Sequence, residues 1–224
     1  MTPLSNLKKD LEALANPEKA AFFPRFFKTG KGEYGEGDKF LGVMVPEQRK
    51  IAKKYKDLSF GDLAQLLKSD FHEHRLTAIF ILVYRFEKGD EGIQKQVYEF
   101  YLKHRKNVNN WDLVDSSAHK IVGPYLKDKD RSILFELAES ESLWDRRIAM
   151  ISCFHFIRNE DFDDPLRIAE MLVNDPHDLI HKAVGWMLRE IGKRDEAAEV
   201  EFLRNHQDMP RTMWRYATEK GVTI

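Results

Sequence analysis

Asn109-Asn110-Trp111-Asp112-Leu113-Val114-Asp115-Ser116-Ser117-Ala118-His119 reads as the opening turns of a helix. Either asparagine can cap it by accepting a backbone N–H, and Asp112 and Asp115 then lie near the positive end of its dipole. Trp111, Asp115 and His119 follow at i, i+4 and i+8, which sets an aromatic ring, a carboxylate and an imidazole along one side. Taken alone, the stretch also fits a capped helix whose tryptophan packs inward while its acids face water.

The surroundings are helical throughout. Pro3–Ala15 carries Leu4, Leu7, Leu11 and Leu14 at helical spacing, and Asn16-Pro17-Glu18 stops it and starts a second helix rich in phenylalanine: Phe22, Phe23, Phe26 and Phe27 around Pro24. From Pro46 onwards the apolar period predicts helices over Pro46–Lys56, Phe60–Lys68, His72–Phe86, Gly92–His104, Asn110–Leu126, Arg131–Glu139, Ser142–Arg158, Pro165–Val173, His177–Lys193, Glu196–Asn205 and Pro210–Lys220. The one short candidate strand is Leu41–Val45.

These helical hairpins repeat. Arg75-Leu76-Thr77-Ala78, Val114-Asp115-Ser116-Ser117-Ala118, Arg147-Ile148-Ala149 and Lys182-Ala183-Val184 recur at a spacing of roughly 30 to 40 residues, the period of HEAT-type pairs. A small residue returns each time where neighbouring helices approach. One pair cannot bury its apolar face alone, so the expected fold is all-α: an α-solenoid of HEAT-like repeats, one domain over residues 1–224, with a concave face suited to an elongated partner. A globular helical bundle is the alternative.

Composition narrows the class. The chain has 224 residues, 42% of them hydrophobic and 33% charged, and 36 basic against 37 acidic side chains give a formal charge of −1. No whole-molecule basic field marks a nucleic-acid partner, so any such contact rests on a local patch. A single cysteine, Cys153, lies among Ile151, Phe154 and Phe156 and reads as a buried thiol, in keeping with a reducing cytoplasm. With no apolar leader core and no run of about 18 apolar residues, neither a signal peptide nor a membrane span is expected.

Candidate groups concentrate on the repeated helices. Lys182, Trp186, Arg189 and Lys193 line the flank opposite the apolar stripe of His177–Lys193, where a ring among cations suits a groove or a phosphate surface. Trp144 and Arg146-Arg147 open the helix Ser142–Arg158 as Trp111 and Asp115 open theirs. Stacking would then bring Trp111, Asp115, Arg147 and Trp186 to one spot.

Other patterns carry less. Gly30-x-Gly32-x-x-Gly35 lacks the strand and βαβ context of a dinucleotide fingerprint. His177 and His181 lack a zincin's glutamate and a third ligand, so no metal is expected. Asp115, Ser116 and His119 do not share one helix side as a triad would, and His72-x-His74 looks incidental.

Asn110-Trp111-Asp112-Leu113-Val114-Asp115, Leu143-Trp144-Asp145-Arg146-Arg147-Ile148-Ala149 and Lys182-Ala183-Val184-Gly185-Trp186-Met187-Leu188-Arg189-Glu190, with Phe40-Leu41-Gly42-Val43 and Pro46-Glu47-x-Arg49 upstream, together resemble the AlkD-type DNA alkylation repair glycosylases over nearly the whole chain. The resemblance implies that HEAT-like repeats cradle duplex DNA and that positively charged N3- or N7-alkylated purines are released by hydrolysis of the N-glycosidic bond, without the lesion entering a deep pocket. It assigns the essential aspartate to Asp115, the active-site tryptophans to Trp111 and Trp186, and the arginine to Arg147. Arg75, Arg146, Lys182, Arg189 and Lys193 are the expected DNA contacts and Phe26 a lesion contact, in a cytoplasmic monomer with neither cofactor nor metal.

Two departures stand out. Phe26, within Arg25-Phe26-Phe27-Lys28, occupies the place where the family often has a tyrosine, and the glycine-rich stretch Thr29–Lys39 is longer than in the shortest members. They keep open a second reading, a non-catalytic HEAT module that binds branched or damaged DNA or a protein partner.

Overall fold

The computed structural model describes residues 2–219, and among these the regular structure is helical: α1 Pro3–Glu12, α2 Pro17–Phe26, α3 Val45–Lys54, α4 Phe60–Leu67, α5 His72–Lys88, α6 Glu91–His104, a 3₁₀ turn at Arg105–Asn107, α7 Trp111–Asp115, α8 Ala118–Tyr125, α9 Ser132–Ala138, α10 Leu143–Ile157, α11 Asp163–Leu172, α12 Asp178–Gly192, α13 Glu196–Asn205 and α14 Arg211–Thr218. Many starts are set by short polar side chains that take an otherwise unpaired N–H: Asn16 accepts from Lys19, Ser59 from Asp62, Asp90 from Ile93 and Asp195 from Ala198. The last helix was expected to reach Lys220, which lies outside the described residues.

The chain divides into two compact units, Met1–Ser117 and Ala118–Ile224. In the first, α5 packs against α3, α4, α6 and α7, and α4 touches α6. Every residue of α5 from His72 to Val83 is buried, the mark of a helix enclosed on all sides. In the second unit α8, α10, α12 and α14 pack in succession, while α9, α11 and α13 lie against α10 and α12 as another layer. Each unit is thus a stack of paired helices, the architecture of an α-helical repeat.

The recurring small residues serve the close approaches expected of them: Ala78, Ala118, Ala149 and Ala183 are fully buried. Gly185 extends the rule, since a Cβ there would collide with the Met213 carbonyl of α14.

Three expectations need correction. The helix read over Asn110–Leu126 breaks after Asp115: the Ser117 N–H bonds the Val114 carbonyl, three residues back, and the Leu113 carbonyl takes the Ser117 hydroxyl at 2.6 Å instead. Trp111, Asp115 and His119 therefore do not follow one another on a single helix. The first helix ends at Glu12, three residues early, and leaves Leu14 43% exposed. Leu41–Val45 forms no strand; the carboxylate of Glu73 accepts from the N–H groups of Leu41, Gly42 and Val43 at 2.8 to 3.3 Å.

Candidate functional site

In the first unit the site grows from α7. Asn110 is fully buried and caps it, its side-chain oxygen accepting from the Trp111 N–H at 2.8 Å. Trp111 and Asp115 are both half-buried and, four residues apart, share one side of this short helix. Trp111 stacks on Phe27, with centroids 5.5 Å apart and planes 18° apart, and takes the edge of Phe26 at 5.5 Å. Phe27 in turn lies parallel to Phe40 at 5.3 Å, and Phe23 closes the cluster edge-on to both.

A charged chain runs beneath these rings. His72, the first residue of α5, lies 4.5 Å from the Phe27 ring and 5.3 Å from Phe40. Its Nε2 meets Asp112 at 2.7 Å and its Nδ1 meets Asp38 at 3.1 Å. Asp38 also takes the Arg75 guanidinium at 2.6 Å, and Arg75 donates to the Ser69 carbonyl at 2.9 Å. Burial pushes the His72 imidazole down, but Asp112 and then Asp38 more than reverse this and hold it at about 9. Both ring nitrogens therefore donate at neutral pH, and the cation lies against aromatic faces. Asp38 is raised by burial but ends below the ordinary carboxylate range through His72 and Arg75.

The glycine-rich stretch supplies Asp38. Gly37, at φ 90°, turns the chain just before it, and Lys39 and Phe71 form a short parallel bridge, with Lys39 N donating to the Asp70 carbonyl and His72 N to the Lys39 carbonyl. That bridge delivers Asp38 to the start of α5. This loop braces α7 through His72, a role its glycine spacing did not announce.

Arg75 is the clear correction among the expected DNA contacts: it is 4% exposed, and its guanidinium is held by Asp38 and loop carbonyls rather than offered to a phosphate. His72, which looked incidental, is the centre of the network, and Asp112, which could have faced water, is its partner. Phe26 is 52% exposed beside Trp111, open to a ligand as a lesion contact would require.

In the second unit α12 carries Trp186, half-buried, its indole N–H held by Glu190 and its ring 5.6 Å from Phe154 of α10. The His119 ring lies 5.5 Å from Phe154. Arg147 is 5% exposed and donates to the Leu179 carbonyl at the start of α12. Arg146 binds Asp175 at 2.6 Å and the carbonyls of Ser140 and Glu141 at 2.9 Å. Lys182 pairs with Asp178 at 2.7 Å, Lys193 with Glu190, and Arg189 with Glu219. The expected cation flank is therefore already matched by carboxylates, so a phosphate must exchange with them.

His177 and His181 serve local structure: His177 Nδ1 caps α12 by accepting from Leu179 N, and His181 Nε2 meets the Asp175 carbonyl. Among the described residues, no three His, Cys, Asp or Glu side chains group as metal ligands. Burial pushes the Cys153 thiol well up, away from any nucleophilic role.

A family model described as DNA alkylation repair enzyme matches residues 7–220. The chain belongs to this DNA alkylation repair family. A solved structure from Enterococcus faecalis, described as a predicted DNA alkylation repair enzyme, superimposes with a TM-score of 0.70 at 18% identity, covering 94% of this chain and 98% of that one. AlkD2 from Streptococcus mutans does so with a TM-score of 0.59 at 20% identity, covering 99% and 98%. At these identities the likeness is one of fold. No curated protein sequence matches significantly. Family membership makes DNA the expected ligand of these surfaces, and among the described residues no helix is long and apolar enough to cross a membrane.

Sequence reasoning missed His72, Asp38 and Phe154. The first two had no signal beyond their residue type, because their partners lie tens of residues away. Phe154 had one: it stands seven residues, two helical turns, after Arg147 and so on the same side of α10.

Proposed function

We propose that the protein is a DNA glycosylase that hydrolyses the N-glycosidic bond of positively charged N3- or N7-alkylated purines, such as 3-methyladenine and 7-methylguanine, in duplex DNA. The observation that carries this reading is the presentation of Trp111 and Asp115 on one side of α7, a five-residue helix braced from below by His72, in a chain of the DNA alkylation repair family.

The chemistry suits these groups. A purine alkylated on N3 or N7 is already cationic and leaves as a neutral base, so no general acid is needed. As the C1′–N bond breaks, positive charge passes to the deoxyribose; the Asp115 carboxylate stabilises it and takes a proton from the water that adds at C1′. The Trp111 face supplies π density to the cationic lesion and sugar, and Trp186 has the same role in this reading. Arg147, buried and bound to the Leu179 carbonyl, would act in this reading by fixing the start of α12, with Lys182, Arg189, Arg146 and Lys193 as exchangeable phosphate contacts. The residues assigned here need no cofactor.

The matched cation flank and Phe26 in place of a tyrosine favour a second reading, a module that binds damaged or branched DNA without cutting it. Incubation of the protein with methylated duplex DNA and chromatography of the released bases separates the two: free methylpurine supports the glycosylase, and intact methylated DNA that remains bound supports the module.

A further inference from the structure

The face of α2 beyond Phe27 is uncovered. Phe22 is 59% and Phe26 52% exposed, four residues apart and so on one side of the helix, and α2 itself buries no residue fully. Two solvated aromatic rings side by side mark an interaction surface more than a stability feature. They share an open groove of about 550 Å³ with Arg25, Lys28 and Glu33. Arg25 and Lys28 are exposed and have no carboxylate partner among the described residues, unlike the cations of α12. Glu33 also lines the groove, its carboxylate accepting from the Gly30 N–H at 2.8 Å. The Phe26 ring that lines this groove also meets Trp111, with centroids 5.5 Å apart.

We propose that this groove binds an unpaired nucleobase, stacked on Phe22 and Phe26, with its flanking phosphates on Arg25 and Lys28. Flat apolar faces interleaved with free cations fit a single strand, because every base offers a π face and every linkage a negative charge. A paired duplex hides its base faces and engages only the cations. The inference rests on the repair reading only in taking DNA as the ligand, and its test uses undamaged strands, so it stands or falls apart from base release.

Fluorescence anisotropy with a short labelled thymidine oligonucleotide and with an intact labelled duplex tests it, using wild type, Phe22→Ala, Phe22→Trp and Arg25→Ala/Lys28→Ala. Phe22→Ala is expected to weaken the single strand about tenfold and the duplex less than about twofold, with Phe22→Trp restoring the loss. The double variant is expected to reduce the salt slope for the single strand by about 1.4. Equal loss on both probes, or none on the single strand, overturns the proposal. So does a Phe22→Ala variant that loses binding to phosphatidylserine vesicles while keeping its single-strand affinity.

Discussion

His72 and Asp112 are joined by a 2.7 Å hydrogen bond, with side chains 3% and 14% exposed, and this buried ion pair fixes the first turn of the helix that carries Trp111 and Asp115. Asp38 supports the same ring from the other side. A five-residue helix has too few internal hydrogen bonds to hold its own position, so the orientation of Trp111 depends on this contact and on the Phe27 stack.

The pair gives a pH signature. His72 has its pKa raised from 6.5 to about 9 in the folded protein. Its contribution is therefore complete below about pH 6.5, declines as pH rises and is gone above about 9, a change on the order of 3 kcal/mol. His72→Gln keeps the size of the side chain but leaves Asp112 and Asp38 without their cation, and is expected to cost about 3–5 kcal/mol at pH 6.5. Urea unfolding of both proteins from pH 6.5 to 9 checks this: the two stabilities should converge with rising pH, and parallel curves would contradict it.

Glu199 also lowers stability as pH rises, through a growing penalty rather than a lost contribution. It is 1% exposed, its Oε1 lacks a hydrogen-bond partner, and burial with help from Glu196 pushes its carboxyl up from 4.5 to about 7. A raised acid costs stability as it ionises, so its penalty grows as pH rises from about 4.5 through 7. Glu199→Gln should then be more stable than wild type at pH 8 by about 1–3 kcal/mol and equal to it near pH 4.5. Thermal melts at the two pH values measure the difference.

The matched cations of α12 limit duplex affinity. Asp178 holds Lys182 at 2.7 Å on the protein surface, an exposed pair worth about 0.2–1 kcal/mol. Asp178→Asn frees the ammonium for phosphate and should tighten duplex binding by up to about fivefold at low salt, the gain shrinking as salt rises. Anisotropy titrations at two salt concentrations would reveal it, and unchanged affinity would show that Lys182 meets no phosphate.

Most of the fold was legible because its helices carry their own signals. Apolar periods, with Asn16 and Asn110 at helix starts, mark ends to within a few residues, and buried alanines mark the repeat. The break at Ser116–Ser117 was not legible: the apolar period continues across it, and the break lies in a backbone bond, Ser117 N to the Val114 carbonyl, that residue types do not mark. Within the candidate site, Trp111 and Asp115 stood out by spacing, and the resemblance singled out Arg147 and Trp186. The brace did not stand out. His72, Asp38 and Arg75 read as an isolated histidine, a loop acid and a surface cation, and only a chain folded to bring residues 38, 72 and 112 together converts them into one buried network. The same distance in sequence hides the Asp38 partner of Arg75, so its residue type alone suggests a phosphate contact.

In the proposed reaction the Asp115 carboxylate drives base release, and Asp112 only positions the helix that carries it. Release of 7-methylguanine and 3-methyladenine from methylated duplex DNA, measured in single turnover for wild type, Asp115→Asn and Asp112→Asn, tests it directly. The account predicts release by wild type, a loss of at least about a hundredfold in Asp115→Asn with unfolding stability and DNA affinity retained, and a lower unfolding stability in Asp112→Asn. Undiminished release by Asp115→Asn, or intact methylated bases after incubation with a folded, DNA-bound wild type, would contradict it.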